Sequence, residues 1–238
     1  MNSAAWPVEL RGVTESVVAT LGPNDRWNFA ALGLHAPKME AEPDAAEESS
    51  AVEEPDAAEE SSAVEGPVTA RTYGRTRTWR NFSERGGGVV QFTVDPREFV
   101  DAALTVYEAD DRLLPNADAW VEVTASEVDR EAMGETTVRT WALDPVESAV
   151  RTERVPTINR GFSAVVDAAV AASRLDVPSV ETAALLDRLR YAADVVDRCG
   201  GPAEREAFAR IDEATGWRGR GDDTAADETD SDGANDTP

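Results

Sequence analysis

Two apolar stretches, VTESVVATL and WNFAALGL, stand on either side of Gly22-Pro23-Asn24-Asp25. Val13, Val17 and Val18 sit among β-formers and the four-residue run supplies turn chemistry, so the pattern predicts a β-hairpin, necessarily antiparallel. From Val68 the chain turns apolar and basic (VTARTYGRTRTWRNF), then passes a glycine triplet, Gly86 to Gly88, that reads as a turn before the strand VVQFTV. Asp95-Pro96 opens a predicted helix, PREFVDAALTVYEA, with Phe99, Ala103 and Val106 on one face and proline at the favoured first position. AWVEVTASEV and TTVRTWAL read as two further strands, and VESAVRTERV as a third. Strands dominate to about residue 155 without alternating with helices, which suits a small antiparallel barrel or half-open sheet. After Pro156 the period becomes helical. Phe162, Val165, Val166, Ala169 and Ala172 form one stripe, and Leu185, Leu189, Ala192, Val196 and Cys199 form another, stopped by Gly200-Gly201. Pro202 starts a third helix with Phe208 and Ile211 inward.

One segment fits neither period. EPDAAEESSAVE runs from Glu42 to Glu53 and recurs, letter for letter, from Glu54 to Glu65. Each copy has no aromatic residue and one valine, too little apolar surface to offset the entropy of ordering, and each carries a helix-breaking proline. A solenoid needs at least about three copies with a hydrophobic face. The segment therefore reads as a disordered acidic insertion, 36–66, that grew by duplication; doubling such a loop costs only about 0.6 kcal/mol.

Charge changes the picture of the solvent rather than of the fold. The 238 residues carry a formal charge of −24. A disordered acidic tail is read in 218–238; outside the duplication and the stretch from Gly219 to Pro238, simple counting leaves a net of about −8. Lys38 is the only lysine; every other cation is arginine. Acids and arginine displacing lysine suit a halophilic protein in concentrated salt, where charges are screened within about 3 Å at 1 M. One cysteine excludes an internal disulfide, and one histidine leaves no Cys/His zinc cluster. No leader and no membrane-length apolar run occurs, which places the chain in the cytoplasm.

The densest candidate chemistry is Arg71 to Asn81. As a strand it sets Arg71, Tyr73, Arg75, Arg77 and Trp79 on one face and Thr72, Thr76 and Thr78 on the other. Guanidinium forks and hydroxyls at this density suit a phosphate cradle; equally, the arginines suit a solvated face paired with carboxylates. Nucleic acid is a lesser reading of Arg71–Arg80, disfavoured by the acidic surroundings and by salt. No GxGxxG or Walker motif occurs. The tail's DSDG lacks the positions of a calcium loop. His35, ending a strand, reads as a surface residue, and Cys199 as buried filler. No triad or spaced carboxylate pair stands out, so any chemistry would belong to a cofactor.

Four blocks in order, TESVVAT…WNFAALGL, YGRTRTWRNF, GVVQFTVDPREFVDAAL and INRGFSAVVDAAVAASRL, resemble an uncharacterised archaeal family with an FMN-binding, flavin reductase-like split barrel. The resemblance runs from about Trp6 to Ile211 without the repeat and tail. It implies an antiparallel split β-barrel, mainly β, in 1–155, followed by a C-terminal helical extension in 156–217. It also implies FMN as cofactor and a homodimer that completes the flavin pocket. The family's Asn-Ala-Ala-Pro-Ile-Gly-Val strand, whose backbone faces the flavin ring, corresponds to Asn28 through Leu34, with Ala31 for the proline and Gly33 kept. Its Gly-Ser-x-Thr-x-x-Asn pattern corresponds to Gly74 through Asn81, with Arg75 for the serine. This places Arg75, Thr76, Arg77, Thr78 and Asn81 by the phosphate or ribityl chain, with Thr78 capping a short helix that replaces the continuous strand. Gln91 stands where asparagine is common, and Asn159-Arg160 opens the helical part.

The reading that results is an FMN-binding protein, a flavin-dependent oxidoreductase of unknown substrate taking electrons from a nicotinamide or other donor. The alternative is a non-catalytic module for FMN or another phosphate ligand. Neither reading gives the duplication a role. Deleting Glu54 to Glu65 is therefore expected to leave flavin content and melting temperature nearly unchanged, and a loss of either on purification or thermal unfolding would make the duplication a functional element.

Overall fold

The structure, a computed structural model, describes residues 5–39 and 64–221. The duplication as far as Ala63, and the tail after Gly221, lie outside the described residues, and with them the expected disorder of both. The elements in chain order are β1 (Val13–Leu21), β2 (Trp27–His35), β3 (Lys38–Met39), β4 (Val64–Glu65), β5 (Val68–Tyr73), α1 (Arg77–Arg85), β6 (Gly87–Thr93), α2 (Pro96–Leu104), β7 (Tyr107–Ala109), β8 (Ala117–Met133), β9 (Thr136–Val150), α3 (Arg160–Ala172), α4 (Thr182–Cys199) and α5 (Pro202–Thr215).

The hairpin expected at the start forms as read, with Leu21 opposite Trp27 and the turn closed by Gly22 N donating to Arg26 O at 2.8 Å. Strand order is β1-β6-β8-β9-β5-β2, all antiparallel, and the β1–β2 pairing closes the circle. One edge of β2 is shared: Leu34 and His35 pair with β5, whereas Trp27 to Phe29 pair with β7. The wall is thus split between β5 and β7, and the architecture is an antiparallel split β-barrel with helices after it. Lys38–Met39 pairs with Val64–Glu65, so the last two residues of the second repeat copy pin the base of the insertion at strand spacing.

Period-2 alternation sorts the wall into two cores. Val18, Leu32, Leu34, Val90, Trp141 and Leu143 point inward, joined by Phe82 of α1, whose ring meets Trp141 edge-on at 5.3 Å. Val17, Ala19, Phe29, Val89 and Trp120 point outward into a second core with α2 to α5. The alanines of α3 (Ala164, Ala168, Ala169, Ala171) let it lie close to Leu185 and Leu189 of α4. Phe208 and Ile211 are buried as expected. Each large side chain so buried stabilises by roughly 1.5–3 kcal/mol.

Local chemistry explains the departures from the sequence reading. The predicted helix from Pro96 stops at Leu104, because β-branched Thr105 and Val106 favour extended backbone and Tyr107–Ala109 finds strand partners in β2. Val106 is exposed, not on a buried face. TTVRTWAL and VESAV are one strand, β9, not two: Pro145, which cannot donate to a ladder, sits at a register shift opposite Val123. The glycine triplet is not a turn. Gly86 is the left-handed C-cap of α1 (φ 72°), and Gly87 and Gly88 lie inside β6, where the backbones of β8 and β1 pass close. Cys199 is exposed rather than buried filler, since the inward position after Val196 falls on Gly200.

α2 is tied to α5 by charge. Asp95 caps α2 by accepting from Arg97 N at 3.0 Å, and the Arg97 guanidinium grips both Asp95 oxygens at 2.9 and 2.7 Å. Arg97 also reaches Glu206 of α5 at 3.1 Å, Glu206 pairs with Arg210, and Arg210 pairs with Asp101. Hydrogen bonding to Arg97 holds the Asp95 carboxyl below the ordinary aspartate range. A depressed folded-state pKa contributes stability above the unfolded value and loses it as pH falls through the folded one. Asp95→Asn keeps the cap and removes the charge, so its destabilisation, measured by urea unfolding, is expected to be present at pH 6 and to shrink below about pH 4. A gap that does not change with pH would show that the Arg97 pairing contributes nothing. A Cβ at Gly87 would stand 2.3 Å from Val123 O. Gly87→Ala is therefore expected to cost about 1–3 kcal/mol and lower the melting temperature by roughly 2–12 °C; an unchanged melting temperature would contradict the close β6–β8 approach.

Candidate functional site

β5 ends at Tyr73, and Gly74 turns the chain off the sheet with φ 67°, a left-handed conformation that suits glycine, while its N–H donates to Thr137 O at 2.8 Å. Two residues on, Thr76 caps α1: its Oγ1 accepts from Trp79 N at 3.1 Å and its carbonyl from Arg80 N at 3.1 Å. The cap is thus Thr76, not Thr78, and the helix runs on to Arg85; Arg71–Asn81 is not one strand. Arg77 and Thr78 keep first-turn N–H groups with no intrahelical acceptor, and no acidic residue occupies that turn. The positive end of the helix dipole is left uncompensated there.

α1 is stitched to the wall by a row across three strands. Thr20 of β1 pairs with Asn28 of β2, which pairs with Glu108 of β7. Asn81, 1% exposed, donates through Nδ2 to Thr20 Oγ1 at 2.9 Å. Arg77 donates through Nη1 to Glu108 Oε1 at 2.7 Å, and Asn24 holds the other oxygen at 3.2 Å. Asn28 and Thr78 are both buried.

The arginines divide between the two readings of their segment. Arg77 is paired with a carboxylate, and Arg80 turns to Asn81 Oδ1 at 3.3 Å. Arg71 and Arg75 are exposed and make no ion pair or side-chain hydrogen bond among the described residues. Arg75, Thr76, Arg77, Thr78, Asn81 and Asn28 therefore come together. Ala31 and Gly33 do not: alternation puts them on the opposite face of β2, beside Val17 and Glu15. Gln91 lies on that outer side too, fully buried, its amide committed to Arg112 O at 3.1 Å and Leu114 N at 2.6 Å, which fixes the loop before β8.

One side chain at the site was not singled out from the sequence. Arg139 of β9, paired with Thr72, points inward beneath α1 with its side chain 11% exposed. Its guanidinium lies 4.7 Å from the Trp79 ring centroid, and Nη1 donates to Gly74 O at 3.4 Å. Nε is buried without a hydrogen bond, 3.6 Å from Glu127 Oε2. The signal was available in TTVRTWAL, where Arg139 shares the strand face of inward Trp141.

Two concavities lie elsewhere. One of about 270 Å³ on the outer face is lined by the stacked Phe29 and Tyr107, with Leu113, Leu114 and Arg151 around it. Burial, and then Glu98 and Asp101, push the Tyr107 phenol above its usual pKa, so it stays protonated at neutral pH. A groove of about 560 Å³ runs between α3 and α4, beside exposed Tyr191. Among the described residues no helix is long and apolar enough to cross a membrane.

No curated protein matches the chain. Among solved structures, an FMN-bound protein from Methanosarcina mazei is 21% identical, with a TM-score of 0.62 over 86% of this chain and 96% of that one; the likeness shows a shared fold. The flavin reductase of styrene monooxygenase from Pseudomonas putida S12 (10% identity, 58% and 79% covered, TM-score 0.35) is too distant to bear on the argument. The same holds for an FMN-binding protein from Thermus thermophilus with bound p-hydroxybenzaldehyde (11%, 67% and 88%, 0.36). By sequence, residues 62–152 match the N-terminal domain of a protein of unknown function, DUF447, and residues 159–213 match the protein of unknown function DUF447. The two matches follow one another in order and together take in well over half of the chain, which belongs to the DUF447 family.

Proposed function

We propose that this protein binds FMN, with the phosphate at the N-terminus of α1. The observation that carries the reading is the arrangement of that terminus: N–H groups of Arg77 and Thr78 with no intrahelical acceptor, no acid in the first turn, an Arg75 above that makes no ion pair among the described residues, and the nearly buried guanidinium of Arg139 beneath. Such a donor set fits a phosphomonoester, which accepts from backbone N–H groups and guanidinium forks together. It is supported by the fold shared with the FMN-bound Methanosarcina mazei protein. When bound, the flavin would supply hydride or one-electron exchange with a donor such as a nicotinamide. Arg75 and the α1 N–H groups hold the phosphate, Thr78 and Asn28 lie next to it, and Asn81 and Arg77 keep α1 seated on the wall. Arg75, Thr76 and Arg77 face solvent, so a second copy of the chain completes the enclosure. The charge of −24 and the single lysine fit work in a salt-rich cytoplasm.

The nucleic-acid reading finds less support. It needs a continuous basic aromatic strand, and β5 stops at Tyr73 with Arg77 already paired.

Protein purified in multimolar KCl is expected to show flavin bands in the visible, or to take up added FMN stoichiometrically; failure of both overturns the proposal. The double substitution Arg75→Ala with Thr78→Ala is expected to leave the fold intact by circular dichroism and weaken FMN by roughly tenfold to a hundredfold. Unchanged affinity would show the phosphate lies elsewhere. Bleaching of bound flavin by NADH separates an oxidoreductase from a module that only holds the cofactor.

A further inference from the structure

Arg139 offers an unusual combination: a guanidinium inside a barrel wall, nearly out of solvent, whose charge is only partly met. Glu127 is its nearest carboxylate, but Oε1 of that group is taken by Arg130 at 2.6 Å, and Oε2 stays 3.6 Å from Arg139 Nε, beyond hydrogen-bond reach. From the other elements packed against it come a carbonyl at 3.4 Å (Gly74), an aromatic face (Trp79) and the neighbouring Thr72, which spends its hydroxyl on Trp141 Nε1. Two arginines thus share one carboxylate. A buried donor left without an acceptor is destabilising, so the position carries a standing penalty unless a ligand uses the charge.

The contacts also have direction. Gly74 lies two residues before the cap Thr76, and Trp79 is the residue whose N–H the cap accepts. The guanidinium therefore holds both arms of the loop that presents the first-turn N–H groups, from the barrel side, while Arg75 stands on the solvent side. In concentrated salt the two cations differ. An exposed charge is screened within a few ångströms, but one with its side chain 11% exposed is screened far less.

We propose that Arg139 is the positioning residue that gives the α1 site its preference for a phosphomonoester dianion, and so for FMN over riboflavin, which has the same ring and no phosphate. The inference rests on the flavin reading above. Charge and position act together: the cation offsets the phosphate's dianion across the loop, and the Trp79 stack keeps the N–H groups aimed outward.

The test compares FMN and riboflavin binding, followed by quenching of flavin fluorescence in KCl at one fixed concentration, in the unsubstituted chain, Arg139→Met and Arg139→Lys. In Arg139→Met, FMN affinity is expected to fall roughly tenfold to thirtyfold while riboflavin affinity stays within about twofold. Arg139→Lys keeps the charge and is expected to retain FMN binding within about threefold. A peg that only supports the fold would lower both affinities by the same factor along with the melting temperature, and that result overturns the proposal, as does unchanged FMN affinity in Arg139→Met. If the unsubstituted chain binds FMN no better than riboflavin, the phosphate does not engage α1 and Arg139 has no such role. If it binds neither, the flavin reading falls and this one with it.

Discussion

The seat of α1 on Thr20 and Glu108, at either side of β2, is the constraint on which the rest depends. A short helix crossing the end of a barrel has few residues with which to hold itself in place, and its own propensity is marginal at nine residues. Phe82 supplies the apolar anchor inside the barrel, and Asn81 and Arg77 fix the rotation of the helix about that anchor through two strands that are neighbours of β2. With rotation fixed, the N-terminal turn faces outward between Arg75 and Arg139. The buried amide of Asn81 has its donor and acceptor both used, which is what makes such a polar contact specific rather than costly.

The split in the barrel follows from the same place. β2 is long enough to pair with β5 at one end and β7 at the other, and α1 follows directly on the end of β5 before the chain passes to β6. Glu108, carried on the short β7, closes that gap from the far side by binding Arg77 and Asn24. The helical layer lies on the opposite surface of the same wall, so α2 to α5 support β1, β2 and β6 from behind. A wall packed on both sides leaves the strand ends as the positions open to a ligand.

Charge is arranged so that little of it is idle. Most arginines of the folded part meet a carboxylate, and the chain Asp95, Arg97, Glu206, Arg210 and Asp101 joins α2 to α5. Single exposed pairs contribute about 0–1 kcal/mol, and less in salt, but linked pairs that share arginine forks lose less entropy per contact. Among the described residues Arg71 and Arg75 make no ion pair, as is true of exposed Arg160, Arg174 and Arg188; what sets the α1 loop apart is the nearly buried, half-met Arg139 beneath it.

Period and punctuation in the sequence determined the element types: a hairpin at Val13–His35, strands to residue 150, helices after residue 160, caps at Asp95 and Gly200. They did so because these depend on neighbours one to four residues apart. The phosphate-like segment was legible as a cluster of arginines and threonines, and a family resemblance was needed to turn it from a strand into a loop and helix. What the tertiary structure alone decided was pairing over distance. Val106 and Cys199 left their expected faces because β2 and the end of α4 offered different partners. Ala31, Gly33 and Gln91 fell on the other side of the wall from Asn28, since one residue along a strand reverses the face. Arg139, 60 residues after Trp79 in the sequence, came beneath it only because β9 pairs with β5 and α1 folds back over that pair. Local chemistry is written in the order of residues; the meeting of a buried cation with a helix terminus depends on strand register, which no single segment contains.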